Sequence, residues 1–341
     1  MTARPTLLVL DDREGRIQAS PGGERLRRAA DVRFLKRPLD EVPDGELKDV
    51  RVLFAIRERT KLDAETLGRF PALELLLQSG GHAYHLDAET ARSRGIVTAL
   101  GRRGVAARAA VPELTFALMI AAMRDLQGAQ RAMTEGSWPP LMGRCLANRR
   151  LGILGMGRHG VRVAAIAEAF GMEPVAWKRP GREAVRDGSQ VPRLELEELL
   201  RTSDVVSVHL RLSEESRGLL DGARLRSCKP GAVLVNTARG AIVDEDALVD
   251  ALRHGPLGAA GLDVFVQEPL APDSPLRALP NVVLTPHIGW TVEEVFDEFA
   301  AIAADQLEGY LAGNLPIADL LDPSSAAVDR PRCGGVAPER P

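Results

Sequence analysis

The sequence predicts an α/β protein of two domains, each a doubly wound parallel sheet. Three observations carry the prediction. The chain has 341 residues, more than one hydrophobic core usually holds. Short apolar runs alternate with charged helical stretches over most of its length. A glycine-rich turn, Gly155-Met156-Gly157-Arg158-His159-Gly160, stands between a strand pattern and a helix pattern.

The first hundred residues show the alternation plainly. Runs at 6–10, 50–56, 73–78 and 96–99 read as strands, and 24–28 and 63–69 as helices between them. A long helical pattern then covers 111–133, with Pro112 in its first turn and Glu113 favouring its N-terminus. Gly136 and the Pro139-Pro140 pair end it. A second βα series follows: LGIL, EPVAW, DVVSVHL, AVLVNT, GLDVF and NVVLTP. Such short, nearly continuous apolar runs belong to strands buried on both faces. Pro174 is tolerable only near the start of its strand, because it lacks a backbone donor. A last helix is expected over 292–311, where Val295, Phe299 and Ile302 recur at helical spacing. The tail beyond Asp322 is rich in Pro, Gly, Ser and Ala and reads as disordered.

Composition narrows the function classes. Apolar residues make up 45 % and charged residues 27 %, the balance of a soluble globular chain. The formal net charge is −3 without a basic run, which argues against nucleic-acid or membrane-surface binding. Cys145, Cys228 and Cys333 are far apart and show no ligand spacing, so a disulfide framework and a metal site are not expected and a reducing cytoplasm is. The N-terminus reads as a first strand, not a signal peptide, and no stretch reaches the roughly 20 apolar residues of a membrane span.

The glycine turn has a local chemistry. Gly155 permits the tight turn, Gly157 lets a pyrophosphate approach the backbone, and Gly160 lets helix and strand pack closely. The N-terminus of the following helix, expected over 161–170, offers N–H groups to the anion at Arg158 and His159. A dinucleotide site is the expectation. NAD-binding chains usually carry an Asp or Glu about 20 residues on. Here Lys178 and Arg179 stand there, which favours the 2′-phosphate of NADP over NAD.

Three later segments place polar residues where apolar runs end. Arg239 follows Val235-Asn236-Thr237-Ala238, Asp263 lies in Gly261–Phe265 ahead of Glu268, and His287 follows Thr285-Pro286. Ligands of doubly wound sheets sit at the carboxyl ends of strands. Reducing a 2-oxo acid needs an acid for the carbonyl oxygen and a cation to hold the substrate. His287 suits the first role, with Glu268 orienting it, and the forked Arg239 suits the second. Asp263 can hydrogen-bond the nicotinamide side of the cofactor. No GxSxG element supports a serine hydrolase.

The runs LGILGMGRHG, SDVVSVHLRLSEESRGLL, KPGAVLVNTARGAIVDEDAL, GAAGLDVFVQEPL and NVVLTPHIGW together resemble the D-isomer-specific 2-hydroxyacid dehydrogenases. The resemblance implies two Rossmann-like doubly wound domains, with an NAD(P)-binding domain (106–290) inserted in a flavodoxin-like substrate domain (1–105 and 291–320), and the tail from 321. It implies Arg239, Glu268 and His287 as the catalytic trio and an active site in the cleft between domains. Cofactor binding would involve Gly155, Gly157, Arg158, His159, Gly160, Lys178, Arg179, Thr237 and Asp263. Backbone N–H groups near Gly80, Gly81 and His82 would hold the carboxylate of a small 2-oxo or 2-hydroxy acid. VPELTFALMIAAMR resembles the family helix that packs across a homodimer. Lys178, His159 and Arg211 depart from the family pattern. Trp290 and first-domain loops would set side-chain specificity, while Arg57 reads first as a surface charge. The alternative is a nucleotide-sensing, corepressor-like interaction protein on the same fold.

Overall fold

The computed structural model describes residues 4–181 and 190–323. Cys333 and nearly all of the tail lie outside them. The chain divides into two compact units. One comprises the residues up to Ala106 and those from Val292; the other is the continuous stretch Ala107–Thr291.

The first unit holds five parallel strands: β1 (Thr6–Val9), β2 (Asp31–Phe34), β3 (Val50–Ala55), β4 (Leu75–Gln78) and β5 (Val97–Leu100). Their spatial order is β2-β1-β3-β4-β5, the flavodoxin-like arrangement. β4 and β5 are buried at every position, which is why they read as unbroken apolar runs. β2 escaped the sequence reading because it is a half-buried edge strand interrupted by Asp31 and Arg33. The Ala64–Gly68 helix starts where Asp63 accepts a hydrogen bond from the Thr66 N–H at 3.0 Å. The Glu293–Leu311 helix packs its Val295, Phe299 and Ile302 face inward, as its spacing predicts.

The second unit holds seven parallel strands: β6 (Arg150–Leu154), β7 (Glu173–Trp177), β8 (Arg193–Leu194), β9 (Val205–Val208), β10 (Ala232–Asn236), β11 (Leu257–Leu262) and β12 (Val282–Leu284). The order β8-β7-β6-β9-β10-β11-β12 reverses direction at β6, the Rossmann switch point. Pro174 is the second residue of β7. β8 pairs only with Ala176 and Trp177, so it does not need the donor that Pro174 lacks.

Two further elements differ from expectation. The helix predicted over 111–133 is two helices, Ala107–Arg124 and Leu126–Thr134. Asp125 breaks them with φ +46 and caps the second by accepting from the Gly128 N–H at 3.1 Å. Pro112 therefore lies inside the first helix, beyond its first turn. The strand predicted at GLDVF begins earlier, at Leu257. Its glycines read as punctuation, yet a Cβ on Gly261 would stand 2.8 Å from Leu118 Cβ, so glycine there admits the long helix. Asp263 thus falls just past a strand end.

Candidate active site

The glycine turn connects β6 to the Arg158–Ala169 helix. Gly155 has φ +108, a conformation that side chains resist. A Cβ on Gly160 would lie 2.0 Å from the Gly155 carbonyl oxygen, so helix and turn meet in contact. Around Gly157 the space is open: an added Cβ meets nothing within 4 Å. Gly157 is also the helix N-cap, with no side-chain cap and no acidic residue in the first turn. The first-turn N–H groups have no intrahelical acceptor, and the helix dipole adds partial positive charge. An uncapped helix facing open space fits the pyrophosphate of a dinucleotide.

Beyond β7, Lys178 Nζ lies 3.1 Å from Glu195, and Arg179 pairs with Glu215. Both cations stay at the strand end where a ribose would lie, each already balanced by a carboxylate. His209, just past the end of β9, is half-buried, and its carbonyl oxygen closes on the Gly155 turn. Burial first, and the nearby His159 second, push its pKa down to about 3. It is therefore a neutral ring, hydrogen-bonded to Ser207 Oγ at 2.8 Å, and does not serve as the acid.

Arg239 is presented by a turn that Asn236 shapes. The buried Asn236 donates from Nδ2 to the Arg239 carbonyl at 3.0 Å and accepts from the Ala238 N–H at 2.9 Å. Thr237 Oγ1 meets Thr115 Oγ1 at 3.0 Å, tying this turn to the Ala107–Arg124 helix. Nothing in the sequence distinguished Asn236 from the polar end of any strand.

Glu268 and His287 come together as the sequence suggested. His287 Nδ1 and Glu268 Oε2 are 2.6 Å apart, and Glu268 Oε1 accepts from the Phe265 N–H at 2.9 Å. Burial pulls the Glu268 pKa up. The His287 hydrogen bond and charge, the Phe265 N–H and the Arg239 charge pull it down further, and the net result lies below the ordinary carboxylate value. The pair thus keeps an ionised carboxylate against Nδ1 and leaves Nε2 as the ring nitrogen for proton exchange.

Asp263 does more than the sequence implied. It is 1 % exposed and accepts from Thr285 Oγ1 at 2.6 Å and from the N–H groups of Ile288 and Gly289, both at 2.8 Å. These bonds bracket His287, which sits at φ +55. A left-handed conformation costs a histidine roughly 1–2 kcal/mol, and the Asp263 bonds hold it. Asp263 thus positions the His287 ring. Among the described residues no group of His, Cys, Asp and Glu gathers as a metal site.

In the first unit, Gly80 has φ +87 and opens the loop that carries Gly81 and His82. His82 stacks on Tyr84 with ring centroids 4.7 Å apart. Arg57 departs from expectation. Its side chain is only 16 % exposed, it has φ +55, and its guanidinium fills the space that a Gly80 Cβ would need. It is not a surface charge.

Residues 116–289 match the model of the NAD-binding domain of D-isomer-specific 2-hydroxyacid dehydrogenases. A glyoxylate reductase of Aeropyrum pernix is 40 % identical over 265 residues, which are 75 % of this chain and 78 % of that protein. A D-3-phosphoglycerate dehydrogenase of Mycobacterium bovis is 33 % identical over 311 residues, covering 91 % of this chain but 57 % of that longer protein. A crystal structure described as a D-3-phosphoglycerate dehydrogenase from Ralstonia solanacearum superposes with a TM-score of 0.85 at 31 % identity, over 95 % of this chain and 98 % of that one. With its two sheets, its uncapped glycine turn and its histidine–glutamate pair, this chain belongs to the D-isomer-specific 2-hydroxyacid dehydrogenase family.

Proposed function

We propose that Arg239, Glu268 and His287 carry out the interconversion of a small 2-oxo acid and its 2-hydroxy acid. The observation that carries this reading is the 2.6 Å contact between His287 Nδ1 and Glu268. In the reducing direction, His287 gives the Nε2 proton to the carbonyl oxygen as charge develops there. Glu268 stabilises the protonated ring, and in the oxidising direction the neutral ring takes the hydroxyl proton back. Arg239 holds the substrate's carboxylate and carbonyl oxygens with its planar fork. In the first unit, the N–H groups of the Gly80–His82 loop are the proposed donors to a substrate carboxylate. Bound on the Gly155–Gly160 turn, a nicotinamide dinucleotide supplies or accepts the hydride. Thr237 and Asp263 lie at neighbouring strand ends on its nicotinamide side.

NADP is the proposed coenzyme, on the strength of Lys178 and Arg179. Their partners Glu195 and Glu215 are 62 % and 79 % exposed, so a 2′-phosphate can displace them at small cost. Coenzyme oxidation with hydroxypyruvate is expected to show a lower KM for NADPH than for NADH. Lys178→Asp should reverse that order through repulsion of the phosphate and a new acceptor for the ribose hydroxyl. A wild-type enzyme with the lower KM for NADH would sink the NADP assignment.

A homodimer is proposed on the second unit. Past the Ala107–Arg124 helix, Trp138 and Met142 are 86 % and 98 % exposed, with Leu126, Met133 and Leu141 exposed beside them in sequence. So many large apolar side chains in one segment support burial against a second copy. Light scattering should give twice the chain mass, and Trp138→Ser with Met142→Ser should lower it toward one chain. A wild-type monomer at micromolar concentration would contradict the assignment. A cytoplasmic location is proposed as well. Cys145 and Cys228 are free thiols, burial pushes the Cys228 pKa up to about 11, and no helix among the described residues is long and apolar enough to cross a membrane. Net charge −3 supports a small-molecule partner over a nucleic acid.

A further inference from the structure

The first unit carries a second carboxylate–imidazole contact that the reaction above does not use. Glu58 follows Arg57 at the end of β3. Its Oε2 lies 3.4 Å from Arg57 Nε, and its Oε1 lies 3.0 Å from His82 Nδ1. The second approach lacks aligned hydrogen-bond geometry. Both side chains are largely shielded, Arg57 at 16 % and Glu58 at 27 % exposed, so water screens them only in part. His85 completes the group. Burial lowers its pKa despite the opposing pull of Glu58, which favours its neutral form.

We propose that Glu58 restricts the enzyme to 2-oxo acids whose carboxylate is their only anionic group. The inference rests on the reading that the Gly80–His82 loop takes that carboxylate. One carboxylate suits the loop's N–H groups. A second anion on C3, a phosphate or another carboxylate, would look to Arg57 for its counter-charge. Arg57 already has Glu58 against it, so Arg57 and Glu58 together carry no net charge. A dianionic phosphate would also meet the Glu58 carboxylate at close range, in a setting where like charges repel more strongly than in bulk water. The glycine at position 80 strengthens the point. Only a residue without a Cβ leaves room for the guanidinium, whose NH1 stands 2.3 Å from where that atom would be. In that place the guanidinium keeps its Nε 3.4 Å from Glu58 Oε2.

The test compares kcat/KM for hydroxypyruvate and phosphohydroxypyruvate in the wild type, Glu58→Gln and Glu58→Asp. The wild type is expected to prefer hydroxypyruvate by about a hundredfold, and Glu58→Gln to shift the ratio toward the phosphate by about tenfold, the scale of one nearby charge. Glu58→Asp keeps the charge and should keep the preference. Calorimetric titration of D-glycerate and 3-phosphoglycerate reads the same discrimination without turnover. A protein that binds D-glycerate selectively but reduces neither acid would contradict the proposed reaction and uphold this assignment. A wild type that takes both acids equally, or a Glu58→Gln protein whose ratio does not move, would overturn it.

Discussion

His287→Ala is expected to lower kcat/KM for hydroxypyruvate by about a thousandfold, the usual worth of a positioned acid–base group. Coenzyme affinity should stay within about twofold, because the dinucleotide is held by backbone and side chains elsewhere in the unit. The reason for so large an effect is geometric. The ring is fixed at Nδ1 by Glu268 at 2.6 Å, and its backbone is held at φ +55 by bonds to Asp263. Glu268→Gln should cost less, about a hundredfold, since the ring keeps its place but loses the charge that stabilises its protonated form. Steady-state rates and coenzyme titration by fluorescence separate the two quantities. Equal activity in wild type and His287→Ala would remove the histidine from the mechanism.

Asp263→Ala carries the second large expected effect. The substitution leaves the N–H groups of Ile288 and Gly289 and the Thr285 hydroxyl without their buried acceptor. Each orphaned group costs roughly 1–3 kcal/mol, and partial rearrangement brings the expected loss to about 3 kcal/mol. Urea unfolding monitored by circular dichroism reads it. Asp263→Asn keeps the volume and one acceptor oxygen and should cost clearly less. The pH dependence of the wild-type contribution also has a sign. Burial, set against three hydrogen bonds, leaves the Asp263 pKa above its ordinary value. A carboxyl raised in the folded state favours folding below its unfolded pKa, and that contribution is lost as pH rises through the folded pKa. Asp263→Asn removes this term, so its deficit relative to wild type should be larger in acid than at neutral pH. Both variants should also lose kcat, because the loop between Thr285 and Gly289 no longer holds the left-handed turn. An Asp263→Ala protein as stable and as active as wild type would show that this carboxylate positions nothing.

The two sheets were legible in the sequence because their central strands are buried on both faces and so spell continuous apolar runs. β2 and β8 were not, since an edge strand needs little apolar surface and a two-residue strand has no pattern. The break at Asp125 was hidden for a different reason. The residues around it have helical propensity, and only the Asp125 conformation interrupts them. Arg239, Asp263 and His287 could be picked out because each follows an apolar run, and Glu268 because a carboxylate there could pair with His287. The supports of the site, Asn236 and the threefold grip of Asp263, could not. The Asp263 bonds join chain segments up to 26 residues apart, which no local pattern records, and Asn236 shapes its turn through bonds that any polar strand end could make. Arg57 was misjudged on the same ground, because its guanidinium packs over a glycine 23 positions away.

The most direct test of the whole account is coenzyme reduction by the two enantiomers of glycerate, followed in the absorbance band of reduced nicotinamide. The account predicts that D-glycerate reduces the coenzyme and L-glycerate does not. Coenzyme binding without turnover of either enantiomer, or oxidation of the L form alone, would contradict it.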